Sequence, residues 1–131
     1  MKQAADANTV ELAYERISLA LKYIETNNLT YGYTSVLWNT EDENVEYWYK
    51  NIKACQKELE NCKNASQLEK SNVLMKVRES LTDNGESGTT LTMPCGIVYY
   101  PNNLAYGVWG CISTIIFIVG VILVIAHFVD D

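Results

Sequence analysis

The chain has 131 residues, with 10 Lys and Arg against 16 Asp and Glu and a net charge of −6. That balance argues against nucleic acid as a partner and against a polybasic grip on anionic lipid. Outside one long apolar stretch near the C-terminus, about 100 residues remain, room for one small domain and not two.

Residues 1–28 carry Asp6, Glu11, Glu15 and Glu25 beside Lys2, Arg16 and Lys22. A secretory signal needs a basic start and an apolar run, and a cleavable mitochondrial presequence avoids acids. Neither pattern is present here, so the mature protein is expected to begin at or near Met1. With no signal, the sequons at Asn28 and Asn64 are read as chance matches in an Asn-rich chain.

The same start signal recurs three times: Asn8 with Glu11, Thr40 with Glu43, and Ser66 with Glu69. In such a capping box the first side chain accepts from a free backbone N–H, and the Glu reaches back to the cap. A first helix is expected over residues 9–27, with Val10, Ala13, Tyr14, Ile17, Leu21 and Ile24 on one face. A second is expected over 41–63, buried through Val45, Trp48, Ile52, Cys55, Leu59 and Cys62. A third is expected over 65–81, with Leu68, Val73, Leu74, Val77 and Leu81 inward. Three amphipathic stripes need one another, which makes residues 1–82 an all-α hairpin or three-helix bundle with a thin core.

Between the first two helices, residues 29–38 are too apolar and aromatic for a solvated loop. Tyr31, Tyr33, Leu37 and Trp38 either fold over the bundle core or dock on a neighbouring protein. Residues 82–88 read as a flexible polar linker, and 83–103 as linker and membrane approach. Tyr99, Tyr100, Tyr106 and Trp109 then form an interfacial aromatic belt.

Residues 104–126 are an unbroken run of 23 without a charge. A helix of that length spans ~34 Å, enough to cross a hydrocarbon core of ~30 Å with some tilt. The apolar helix is expected over 104–127, followed by a tail at 128–131. No Lys or Arg follows Arg78, so the charge rule for orientation is silent. With so short a tail, insertion is expected after synthesis, and the N-terminal domain is not expected outside the cell. Gly107, Gly110, Cys111 and Thr114 follow helical spacing and present small residues on one side, the surface that lets a second helix approach closely. Ser113, Gly120 and His127 make a second line at intervals of seven.

Chemistry-bearing motifs are missing from the sequence: no nucleophile elbow, phosphate loop, metal motif or His–acid pair. Glu41, Asp42, Glu43 and Glu46 have a plain role as negative charge at a helix N-terminus. Cys55 and Cys62 on one helix would have Cα atoms ~10.5 Å apart, beyond the ~4.4–6.8 Å a disulfide needs. They are read as reduced and buried, with Cys95 as the candidate partner outside the membrane. His127 is read as a polar residue at the edge of lipid rather than a ligand. No enzyme activity, cofactor, metal or small-molecule substrate is expected.

The last 40 residues resemble the cytochrome c oxidase subunit VIIc family. The likeness rests on Met93-Pro94, Asn102-Asn103-Leu104, and a Gly-containing span closing on Val124-Ile125-Ala126-His127. The position beside the terminal His, basic in that family, is Ala126 here, and residues 1–90 have no counterpart. The resemblance implies an accessory subunit of a mitochondrial respiratory complex, with cytochrome c oxidase first and complex I or another second. The expected function is therefore that of a non-catalytic, single-pass structural subunit in the mitochondrial inner membrane. Its partners would be the bilayer and the protein subunits of a large complex. The alternatives are a tail-anchored adaptor with a cytosolic helical module, or a small self-associating pore or lysis protein.

Overall fold

The computed structural model describes residues 1–85 and 88–130. Five helices appear in chain order: α1 (Lys2–Ala5), α2 (Val10–Thr26), α3 (Val45–Asn61), α4 (Gln67–Leu81) and α5 (Asn103–Asp130). Strands β1 (Thr82–Gly85) and β2 (Gly88–Leu91) pair antiparallel, with Thr82 opposite Leu91. The protein is thus mainly helical, with one long apolar C-terminal helix.

The amphipathic stripes pack as their spacing dictates. Val10, Ala13, Ile17, Leu21 and Ile24 of α2 meet Ile52, Cys55 and Leu59 of α3 and Val77 and Leu81 of α4. Tyr14, Trp48, Val73 and Leu74 are half-buried around that core. Leu68 departs from its expected place and is 72% exposed. It lies nine residues from Val77, which at 3.6 residues per turn puts the two ~180° apart on the helix. The core is thicker than the three stripes alone provide. Ala4, Ala5 and Ala7 of the N-terminal turn are buried in it, and Arg78 Nε donates to the Ala5 carbonyl at 2.8 Å to hold that turn down.

The three start signals resolve differently. Ser66 and Glu69 form the complete capping box. At α2 the cap is Thr9 rather than Asn8, its hydroxyl accepting from Leu12 N at 3.2 Å. At α3 the cap is Asn44, which accepts from Tyr47 N at 3.0 Å. Thr40 and Glu43 instead close a single 3-10 turn, Glu41–Glu43.

The stretch expected as a linker is partly built. Thr82, Thr89 and Thr90 favour extended backbone, and Asp83, Asn84 and Gly85 of β1 pair with Thr90, Thr89 and Gly88 of β2 at the end of α4. Glu86 and Ser87, part of the expected linker, and Asp131 of the expected tail lie outside the described residues. A 3-10 turn at Ile97–Tyr99 follows. Then α5 runs out from the domain, and nothing in its most apolar window is buried. Residues Asn103–Phe128 are long and apolar enough to cross a membrane.

Candidate functional site at the root of the apolar helix

The long apolar helix directs attention to the place where α5 leaves the domain. Helix α2 ends when Asn28 turns left-handed, at φ 56°, and Leu29 N donates back to the Ile24 carbonyl at 2.9 Å. The loop that follows is pinned to the start of α3. The Gly32 carbonyl accepts from Val45 N at 2.9 Å, and Thr34 N donates to the Glu43 carbonyl at 3.0 Å.

The same loop is fastened to the root of α5 at three points. The Tyr100 hydroxyl donates to the Tyr31 carbonyl. Gly32 permits this approach: its φ is +97°, and a Cβ there would stand 2.5 Å from that hydroxyl. Next, Asn103 Nδ2 donates to the Thr34 carbonyl at 2.6 Å and to the Gly96 carbonyl at 3.2 Å. One amide therefore ties the loop, the approach segment and the first residue of α5 together. Finally, Val36 packs on Gly107, where an added Cβ would sit 3.2 Å from Val36 Cγ1. Thr34 is 4% exposed, and Thr34 Oγ1, Ser35 Oγ and Asn103 Oδ1 find no partner among the described residues. The junction thus keeps polar capacity that the described chain does not fill.

Electrostatics at the junction are muted. Burial, with the neighbouring Tyr31, pushes the Tyr100 phenol above its ordinary value, so it remains a donor at physiological pH. On the domain surface, Tyr49 Oη donates to Glu25 Oε1 at 2.6 Å and Lys53 Nζ lies 3.2 Å from the same oxygen. Those contacts, the tyrosine first, hold the Glu25 carboxyl below its usual range and link α2 to α3. Burial raises the Cys55 thiol.

The residues singled out from sequence fall into distinct places. Gly107 meets Val36 of its own chain, whereas a Cβ added at Gly110 would meet nothing within 4 Å, and Cys111 and Thr114 are exposed. Tyr99 and Tyr106 stack edge-to-face at 5.8 Å, and Trp109 is exposed beside them in sequence. Tyr100 differs from the rest of the expected belt, being turned inward on Tyr31. In the loop, the backbones of Tyr31 and Tyr33 are held, but Tyr31, Leu37 and Trp38 keep 64%, 78% and 73% of their surface exposed. Tyr33 is 39% exposed.

Val36, Gly32 and Thr34 are not singled out by motif or periodicity, and Asn103 enters only as part of the Asn102-Asn103-Leu104 likeness, with no role attached. The available signal was Asn103 itself, an amide placed immediately before an apolar run, where a helix start needs polar partners.

The four cysteines are free: Cys55 is buried, Cys62 half-buried, and Cys95 and Cys111 exposed. Among the described residues no group of three His, Cys, Asp or Glu side chains is placed to hold a metal ion. The cavity beside Trp48, about 230 Å³, opens between the start of α3 and Pro94 and brings Glu41, Asp42 and Asp83 to its walls together with the hydroxyls of Ser80 and Thr92. These contacts hold the loop against the start of α5 and so set the direction in which α5 leaves the helical domain. No protein-family profile, curated protein or solved structure matches this chain.

Proposed function

We propose that this protein is a non-catalytic, single-pass membrane subunit that scaffolds a large membrane complex. The observation that carries the reading is the Asn103 bracket, with Tyr100 and Val36 on either side of it. A tethering linker leaves its domain free to turn, whereas this junction makes the pose of the domain and the pose of the span one variable. A scaffold needs that coupling: a span seated among neighbouring helices then presents the bundle to neighbouring soluble subunits in one orientation. Gly110, Cys111 and Thr114 are the open small residues against which another membrane helix would pack. The resemblance of the last 40 residues to the oxidase subunit favours a respiratory complex of the mitochondrial inner membrane as the assembly.

The test is solubilisation from the native membrane in mild detergent, followed by native electrophoresis. Co-migration with a large complex is expected. Migration as a lone chain overturns the reading, and fractionation away from mitochondria overturns the respiratory assignment alone.

A second reading, a tail-anchored adaptor, is favoured by one observation: the core from Ala4 to Leu81 closes without any residue of α5. It predicts that residues 1–102 alone bind the protein's partners, which the scaffold reading does not.

A further inference from the structure

Two contacts fix the course of the loop relative to α5. The Thr34 carbonyl is held at Asn103, and Val36 lies on Gly107. Two residues of loop therefore run alongside four residues of helix, a descent of ~6 Å in the direction of the apolar run. The next two residues, Leu37 and Trp38, are among the most exposed large side chains of the domain, at 78% and 73%. The chain then turns back into the acidic 3-10 turn Glu41–Glu43. A soluble domain gains nothing by aiming a leucine and an indole outward at this level. A bilayer rewards both: the leucine leaves water, and the indole buries its apolar body while its N–H reaches the headgroups.

We infer that Leu37 and Trp38 form a second membrane contact, entering the interfacial layer of the same bilayer that α5 crosses. The inference rests on α5 being a membrane span. The occupant is a zwitterionic lipid surface. Asp42 and Glu43 stand around the same hollow as Leu37 and Trp38, and no Lys or Arg lines it, so anionic headgroups are repelled there. Val36 acts as the strut: by resting on Gly107 it sets the depth of the tip, so the loop and helix enter together as a wedge. Two separated footholds resist tilting of α5 better than one, because rocking the helix toward the loop would push the tip deeper and rocking it away would pull it into water.

The full chain, reconstituted in phosphatidylcholine vesicles brominated on the acyl carbons near the headgroup, supplies the test. Three tryptophans are present, and Trp48 is half-buried with its indole N–H on the Thr92 carbonyl at 3.0 Å. The difference between Trp109→Phe and the double variant Trp38→Phe/Trp109→Phe isolates Trp38. Its emission should be blue-shifted and should lose most of its intensity in the brominated lipid, and added phosphatidylserine should not strengthen the effect. The difference between Trp38→Phe and the same double variant reports Trp109 on the span. If Trp109 is quenched and Trp38 stays red and unquenched, the loop contact is wrong, the span reading stands, and the tip faces water or a protein partner. If neither is quenched and alkaline carbonate extracts the chain, the span reading falls and takes the contact with it. In the unsubstituted chain, hydroxyl-radical footprinting in plain phosphatidylcholine vesicles should spare Trp38 while modifying Tyr47, which is 62% exposed on α3. Oxidation of Trp38 ahead of Tyr47 also overturns the contact.

Discussion

Asn103 donates its amide to the Thr34 carbonyl at 2.6 Å, joining residues 69 apart in sequence at the point where the apolar helix begins. The same amide reaches Gly96 O at 3.2 Å, an oxygen that also accepts from Tyr99 N at 3.0 Å, so removing the amide strands one carbonyl, that of Thr34, at a part-buried site. Asn103→Ala should weaken the junction by about 1–3 kcal/mol, the cost of leaving a buried acceptor without its donor. Hydrogen exchange checks this. The Thr34 and Val45 amides, bonded to Glu43 and Gly32, should exchange about ten- to a hundredfold faster. Amides of Ile17 and Leu21 in the core of α2 should not change.

Gly107 and Gly110 are three residues apart and face different surroundings. Gly107→Leu should push Val36 off the helix at a cost of about 1–3 kcal/mol and open residues 34–38 to protease, because its Cβ alone already crowds Val36 at 3.2 Å. Gly110→Leu meets nothing within 4 Å in the chain, so the isolated protein should be indifferent to it. If the proposed scaffold role holds, the same variant in the native membrane should insert normally and fail to join its complex, since a neighbouring helix would be held off by several ångströms. Ile116→Leu is the control and should assemble like the parent. Equal assembly of Gly110→Leu would show that the small face is unused.

The Glu25–Tyr49–Lys53 cluster gives stability a pH dependence of known sign. The folded carboxyl titrates below its ordinary value of 4.5, so its contribution is complete above that value. It is lost as pH falls through the depressed folded pKa. Glu25→Gln should therefore flatten the acid limb of a thermal-melting profile measured below about pH 5 and leave the profile near neutrality almost unchanged.

Thiol labelling separates the four cysteines by two different shields. A water-soluble maleimide should react first with Cys95, which is exposed, and last among the domain thiols with Cys55, where burial both blocks access and raises the thiol pKa. Cys111 has no cover within the chain, so only lipid can protect it. It should resist labelling in vesicles and react once the chain is unfolded and delipidated. Ready labelling of Cys111 in intact vesicles would mean that α5 does not cross.

Much of this architecture is legible one residue at a time. Helical periodicity places Val10, Ala13, Ile17, Leu21 and Ile24 on one face of α2, and that face is buried because no other arrangement removes so much apolar surface from water. An uncharged run of 23 residues determines that α5 is apolar all round. Ser66 and Glu69 cap α4 through contacts three residues apart, which a sequence displays directly. The junction is of another kind. Nothing near Asn103 in sequence names Thr34 as its acceptor, and Gly107 looks like its neighbour Gly110 until Val36 is found resting on it. Leu68 and Tyr100 show the same limit: which side of a helix or loop faces inward depends on what stands opposite. Local spacing determines that an element forms and which face is apolar, because those energies are set within a few residues. Only the tertiary structure decides which distant backbone carbonyl an amide reaches, and with it the direction in which α5 leaves the domain.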